Sequence, residues 1–153
     1  MIIQKLSVLN LRKIQTLTKI FIPETNIIIG PNGSGKTSIL ESIFFLSYGK
    51  SFRKKYTKAI IQKGKKELQI KARILNKNEK TIKVFYNEKT KQFIKNTTTI
   101  KTTTELLKEI SIICISPEEV DVIEEYKKEK QQYFDRIIFK INPKHIQKIK
   151  NYN

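Results

Sequence analysis

The chain of 153 residues has one cysteine, Cys114, so no disulfide can close within it. Cys114 lies in the apolar run Ile112-Ile113-Cys114-Ile115, where a buried, reduced thiol in a core strand is expected rather than a nucleophile. No apolar run approaches the roughly 20 residues that cross a bilayer. Met1-Ile2-Ile3-Gln4-Lys5 leads straight into a strand pattern, so no secretory leader is expected. A soluble, cytoplasmic protein without a membrane partner is expected. Histidine is confined to His145, expected to be a lone surface residue and not a ligand. Arginine occurs only at positions 12, 53, 73 and 136, and acids number 14 against 31 lysines and arginines, for a net charge of +17. That excess has two readings. A polyanion such as nucleic acid would bind it in a salt-sensitive, non-specific way. Lysine, isoleucine and asparagine are also over-used together, and all three have A/T-rich codons. One domain, large enough to bury a core, fits the length.

Glycine is scarce too, at five residues, and three of the five fall in one stretch, Gly30-Pro31-Asn32-Gly33-Ser34-Gly35-Lys36-Thr37. This fits the phosphate-loop pattern in full. Gly33 and Gly35 can take positive φ, turning backbone N–H groups inward around a phosphate. Lys36 can reach β- and γ-phosphates, and the Thr37 hydroxyl can coordinate Mg²⁺. The surroundings fit. Asn26-Ile27-Ile28-Ile29 reads as a short buried strand. Ser38 to Gly49 reads as a helix, apolar at 39, 40, 43, 44 and 46 and so buried round most of its circumference, with Gly49 as its stop. The helix start adds unpaired N–H groups and a positive dipole end.

Along the chain, apolar residues at 2, 3, 6, 8, 9 and 11 predict a strand over 2–11, Asn10 to Lys13 a turn, and Leu17 to Ile22 a second strand. Pro23-Glu24-Thr25-Asn26 is a turn-forming cluster. The basic segment Lys50 to Tyr56 carries two aromatics; a solvated connection is the simpler reading than a nucleic-acid patch. Lys58 to Gln62 is expected to be a short helical piece ended by Gly64. Leu68 to Ile74 and Ile82 to Tyr86 alternate, and with Lys91 to Lys95 they predict an antiparallel meander, an exposed sheet layer. Thr97 to Thr104 is low in complexity, a loop or edge strand. Thr102-Thr103-Thr104-Glu105 fits a capping box opening a helix over Glu105 to Ile110.

Ser116-Pro117-Glu118-Glu119 fits a second capping box, with Pro117 at the first helical position. An apolar strand followed by acids also resembles a Walker B element, but a proline between strand and acids favours the cap. From Val120 the chain reads as helical, with Phe134, Ile137, Ile138 and Ile141 on one face. Pro143 opens another helix that repeats through Ile146 and Ile149 to Tyr152.

These residues resemble the RecF family of bacterial DNA recombination and repair proteins over essentially the whole chain. Leu9-Asn10-Leu11-Arg12 is similar to the family's strand ending in Asn-Phe-Arg, and Gly30 to Ile43 to its phosphate loop and helix. Gly49-Lys50-Ser51-Phe52-Arg53 is similar to its Gly-Arg-Ser-Phe-Arg, a more specific signal than the loop. Ser116-Pro117-Glu118-Glu119-Val120 resembles Ser-Pro-Glu-Asp-Leu, and Tyr133-Phe134-Asp135 stands where the family has Phe-Leu-Asp. Lys130-Gln131-Gln132 replaces a run of arginines, and Glu124 to Lys127 replaces Lys-Gly-x-Pro.

The resemblance implies an α/β fold, a P-loop NTPase of ABC/SMC-head type, in which a mixed sheet carries an antiparallel layer. It implies a nucleotide-binding lobe over 1–115 and the start of a helical second lobe over 116–153, truncated before that lobe is complete. It implies ATP and Mg²⁺ as cofactors, held by Gly30, Pro31, Asn32, Gly33, Ser34, Gly35, Lys36 and Thr37, with Thr37 on the metal and Arg12 near the nucleotide. It also implies ATP-dependent homodimerisation on DNA, single-stranded and duplex, and action with RecO and RecR at gap junctions in replication, recombinational repair and SOS induction. The family's signature motif, Walker B acids and helical arm belong to a second half not visible in these residues. Nucleotide binding is expected, whereas hydrolysis by this polypeptide alone is not. The competing reading is a truncated, non-catalytic remnant that binds nucleic acid non-specifically through its positive charge.

Overall fold

Leu6 and Val8, Leu68 to Ile74 at every second residue, and Ile82 and Val84 are all buried. That is the spacing at which a pleated strand lines one face. The computed structural model describes residues 1–53, 60–115 and 138. Its chain divides into two units, Met1–Leu106 and Leu107–Asn153. Among its described residues the first unit contains six strands: β1 (Ile2–Leu11), β2 (Ile14–Ile20), β3 (Glu67–Leu75), β4 (Glu79–Asn87), β5 (Lys91–Lys95) and β6 (Thr98–Ile100). They form one sheet in the order β2-β1-β3-β4-β5-β6, antiparallel at every described pairing. Register lines the apolar residues up across strands, Val8 with Ile70 and Val84, and Leu6 with Ala72 and Ile82. The expected meander is there, but as a layer with one face buried.

Helix α1 (Lys36–Tyr48) covers that face, touching β1, β3 and β4. Ile39, Phe44, Phe45 and Leu46 are buried along it, while Leu40 is half exposed, so the helix is buried round most of its circumference but not all. Ser42 and Ser47 are buried with them, and the Ser42 hydroxyl donates to the Ile39 carbonyl at 2.6 Å. Gly49 ends the helix with φ 63°, its N–H donating to the Phe45 carbonyl at 2.8 Å. A side chain at Gly49 would meet Phe93 of β5 at 2.9 Å, so both conformation and space call for glycine. Lys91 donates to the Gly49 carbonyl and lies 6.0 Å from the Phe45 ring centroid, a cation placed at the negative end of α1.

Several expectations fail. Asn26 to Ile29 is not a strand, and Ile27 and Ile29 are 79% and 87% exposed. Branched side chains favour a strand only where a neighbour completes the ladder, and none of the described strands pairs with this segment. The turn before it does form: the Asn26 side chain accepts from Ile22 N–H and donates to Ile22 O, both at 3.0 Å. The second strand begins at Ile14, earlier than its apolar pattern indicated. Of the expected helical piece at 58–62, the described residues are not helical, and Ile61 is bridged to Leu11. At α2 (Thr103–Glu109), Thr102 caps the Glu105 N–H at 3.1 Å. Glu105 reaches one residue beyond the usual box, to the Lys101 N–H at 3.0 Å.

In the second unit the described residues are 107–115 and 138. The core strand expected over Ile112–Ile115 is absent there, and Ile113 and Ile115 are exposed, while Cys114 is half-buried. The choice between cap and Walker B at Ser116 to Glu119, and the helices from Val120, lie outside the described residues. Among the described residues no helix is long and apolar enough to cross a membrane.

Burial pulls the Lys91 ammonium below its ordinary pKa of 10.5. Between that lowered value and 10.5 the unfolded chain holds more protons than the folded one, so stability rises with pH across this window. The urea midpoint of the wild type should therefore gain on that of Lys91→Met as pH climbs towards 10.5. A constant difference would assign Lys91 no such cost.

Candidate nucleotide site

Three glycines and a helix start shape the loop between residues 30 and 37. Gly33 and Gly35 have φ of 79° and 99°, left-handed conformations that a β-carbon would strain. Gly35 is the N-cap residue of α1, and no side chain caps that end. No acid stands in the first turn. The first intrahelical bond runs from Ile39 N–H to Gly35 O at 3.0 Å, so the amides before it take no part in the helix ladder. An anion is the natural complement of such an end.

Lys36, the first residue of α1, curls its ammonium back over the loop. It donates to the carbonyls of Gly30 at 2.7 Å and Pro31 at 2.8 Å, which uses two of its three donors. Ser34 N–H donates to Pro31 O at 3.3 Å, closing the turn through Asn32 and Gly33. Thr37, the second helical residue, is exposed beside Lys36. Mg²⁺ commonly takes one or two protein ligands and fills its shell with water and phosphate, so a lone Thr37 hydroxyl suits that habit. Glycine conformations, an uncapped helix end and a positioned ammonium together fit a triphosphate. Gly30 to Thr37 thus lie together at one end of α1.

Arg12 is bound by a partner that sequence reasoning missed. Its guanidinium grips Glu41 of α1 through two bonds, Nε to Oε2 at 3.0 Å and Nη2 to Oε1 at 2.7 Å. Glu41 is fully buried, and the Arg12 side chain is 13% exposed. The Ser51 hydroxyl donates to the same Oε1, and Arg53 N–H donates to Ser51 Oγ at 2.9 Å. Phe52 is buried edge-on to Phe44, centroids 5.5 Å apart. The Gly49 to Arg53 stretch therefore has a structural explanation: cap, carboxylate ligand and core aromatic. Arg12 itself has φ 54°, unusual for a residue with a long side chain. The guanidinium fork and the bond from its N–H to Ile60 O at 2.9 Å hold it there. The signal for Glu41 was present as the one acid in the helix, set among Ile39, Phe44 and Phe45.

The chain matches the RecF/RecN/SMC N terminal domain family over residues 2–143. The DNA replication and repair protein RecF of Clostridioides difficile (strain 630) is 32% identical over 152 residues, covering 99% of this chain and 41% of that protein. RecF of Thermoanaerobacter sp. (strain X514) is 34% identical over 155 residues, covering 100% and 43%. A solved structure of the recombination mediator protein RecF with ATP in the RecFOR pathway superposes with a TM-score of 0.85 at 26% identity, covering 99% of this chain and 42% of its own. An SMC ATPase, from work on ATP-driven dimerisation and DNA-stimulated activation, superposes with a TM-score of 0.68 at 19% identity, covering 90% of this chain and 99% of its own. The fold is thus that of a P-loop head of ABC/SMC type. The chain spans about two fifths of the length of the RecF proteins it matches.

Removing the buried carboxylate should expose how much depends on it. Glu41→Ala leaves the Arg12 charge and the Ser51 hydroxyl without their acceptor, and a loss of about 3–5 kcal/mol is expected in urea unfolding. A loss within about 0.5 kcal/mol, the range of ordinary surface substitutions, would contradict a structural role.

Proposed function

The chain belongs to the RecF/RecN/SMC N terminal domain family, and from that premise we propose that it binds ATP with Mg²⁺ and couples that binding to contact with DNA in replication and repair. The observation that carries this reading is the loop from Gly30 to Thr37, ending on an uncapped helix that has no acid in its first turn. In this reading Gly30, Pro31, Asn32, Gly33, Ser34 and Gly35 offer backbone N–H groups, or the turns that aim them, to the phosphates. Lys36 would turn its ammonium from the Gly30 and Pro31 carbonyls to donate to β- and γ-phosphate oxygens. Thr37 would supply one hydroxyl to Mg²⁺, whose chemistry is to neutralise the phosphate charge. Arg12 acts near the nucleotide chiefly by position, tying the β1–β2 turn to the helix that carries Lys36 and Thr37. These residues are assigned binding and no hydrolytic step.

Residues 1–115 are then a nucleotide-binding lobe, and 116–153 the start of a helical one. DNA in single-stranded, duplex and gap-junction form, RecO and RecR, and an ATP-dependent second copy are the partners proposed, with recombinational gap repair and SOS induction in the cytoplasm as the setting. The RecF-with-ATP structure in the RecFOR pathway and the SMC work on ATP-driven dimerisation support that choice among known proteins.

A second reading is favoured by charge. On the sheet face turned away from α1, Lys5 and Arg73 are register partners, as are Lys71 and Lys83. A remnant that used only these and the net charge of +17 would bind nucleic acid regardless of ATP.

Lys36→Ala removes a charge-assisted donor worth about 1.5–3 kcal/mol, so Mg-ATP affinity by calorimetry should fall about 10–100-fold with an unchanged melting temperature. Equal affinity in both proteins would remove the loop from the mechanism. DNA affinity that ignores ATP and falls uniformly with salt would favour the charge-only remnant.

A further inference from the structure

The β1–β2 turn leans on the phosphate loop at two successive residues. A β-carbon built on Gly33 would lie 3.7 Å from the Lys13 ammonium nitrogen, and one built on Gly35 would lie 3.7 Å from Ile14 Cγ1. Arg12, the residue before them, is fastened to Glu41 of α1. Three consecutive residues thus meet the loop and its helix at three points, and the middle one brings an ammonium to the crown of the loop. Lys13 is exposed and makes no ion pair among the described residues. Lys36 approaches the same loop at Gly30 and Pro31. The nearest acid of α1, Glu41, is already engaged by Arg12 and Ser51. Positive groups therefore converge on a loop that supplies no carboxylate of its own, an arrangement that an anion between them relieves.

We propose that Lys13 is a second phosphate-binding ammonium, which donates to the triphosphate from the Gly33 side while Lys36 donates from the Gly30 side. The proposal rests on the nucleotide reading above and adds to it a residue outside the phosphate-loop pattern. Its contribution grows with the charge of the ligand. ATP should gain more from Lys13 than ADP, and ADP more than AMP. Because Lys13 is exposed, salt weakens the effect. The rigid Arg12–Glu41 fork matters here, because it fixes the turn that presents Lys13.

Calorimetric titration of the full chain with Mg-ATP, Mg-ADP and AMP tests it, using the wild type, Lys36→Ala, Lys13→Gln and Lys13→Arg. Loss of one charge-assisted contact predicts that Lys13→Gln weakens ATP by about tenfold at low salt, with a smaller loss for ADP, and that Lys13→Arg retains most of the affinity. All variants should melt with the wild type. If Lys13→Gln binds ATP as the wild type does while Lys36→Ala does not, the inference about Lys13 is wrong and the nucleotide reading stands. If Lys13→Arg loses as much as Lys13→Gln, or all three nucleotides weaken alike, Lys13 acts through the shape of the turn and not as a phosphate donor. If the wild type binds none of the nucleotides, the site reading fails and the inference falls with it.

Discussion

The Glu41 carboxylate joins the parts of this molecule that are otherwise distant in sequence. It is fully buried in α1, and its oxygens accept from Arg12 at the β1–β2 turn and from Ser51 beyond the helix. A carboxylate taken out of water is costly unless its lone pairs are met by charge and hydrogen bonds. Here two guanidinium bonds and a hydroxyl meet them. The consequence is geometric: the turn, the helix that starts at Lys36 and the segment after Gly49 have one relative arrangement. A buried ion pair is weak support for stability in itself. What it contributes here is register, because a turn slipped by one residue would bring Leu11 or Lys13 to the acid instead of Arg12.

That arrangement bears on charge. The amino end of α1 has no side-chain cap and no first-turn acid, whereas its carboxyl end is met by Lys91 at the Gly49 carbonyl. The negative end is compensated from within the fold, and the positive end is left to be met from outside. N–H groups outside the helix ladder and a lysine folded over its own loop carbonyls are compatible with water, but an anion satisfies more of them at once. The hairpin turn enlarges the surface over which such an anion is met, since it stands against the loop at Gly33 and Gly35.

Much of this was legible in the residues. The period-two alternation of β3 and β4 and the turn chemistry around Asn26 identified local structure correctly, and so did Thr102 as a cap and Gly49 as a stop. In each case the interaction that decides the local structure lies within a few residues. Asn26 to Ile29 and Ile112 to Ile115 misled for the opposite reason. Their branched side chains indicate strand, but a strand is made by its neighbour, and none of the six described strands pairs with either segment. Glu41 was hidden because its partners are 29 residues before it and 10 after it. Only the fold brings them together, although an acid amid Ile39, Phe44 and Phe45 already required a buried cation or donor. The shape of the loop from Gly30 to Thr37 was legible because it depends on the backbone freedom of Gly33 and Gly35, which residue type alone specifies.

The central claim is that the β1–β2 turn and the phosphate loop form one nucleotide site, coupled through Arg12 and Glu41. Titration of ¹⁵N-labelled protein with Mg-ATP, followed by amide chemical shifts, tests it most directly. The amides of Gly30 to Thr37 and those of Arg12 to Ile14 should shift together with a single dissociation constant, while Leu68 to Ile74 on the sheet stay in place. Shifts confined to the sheet, or a loop that responds while the turn does not, would contradict the account.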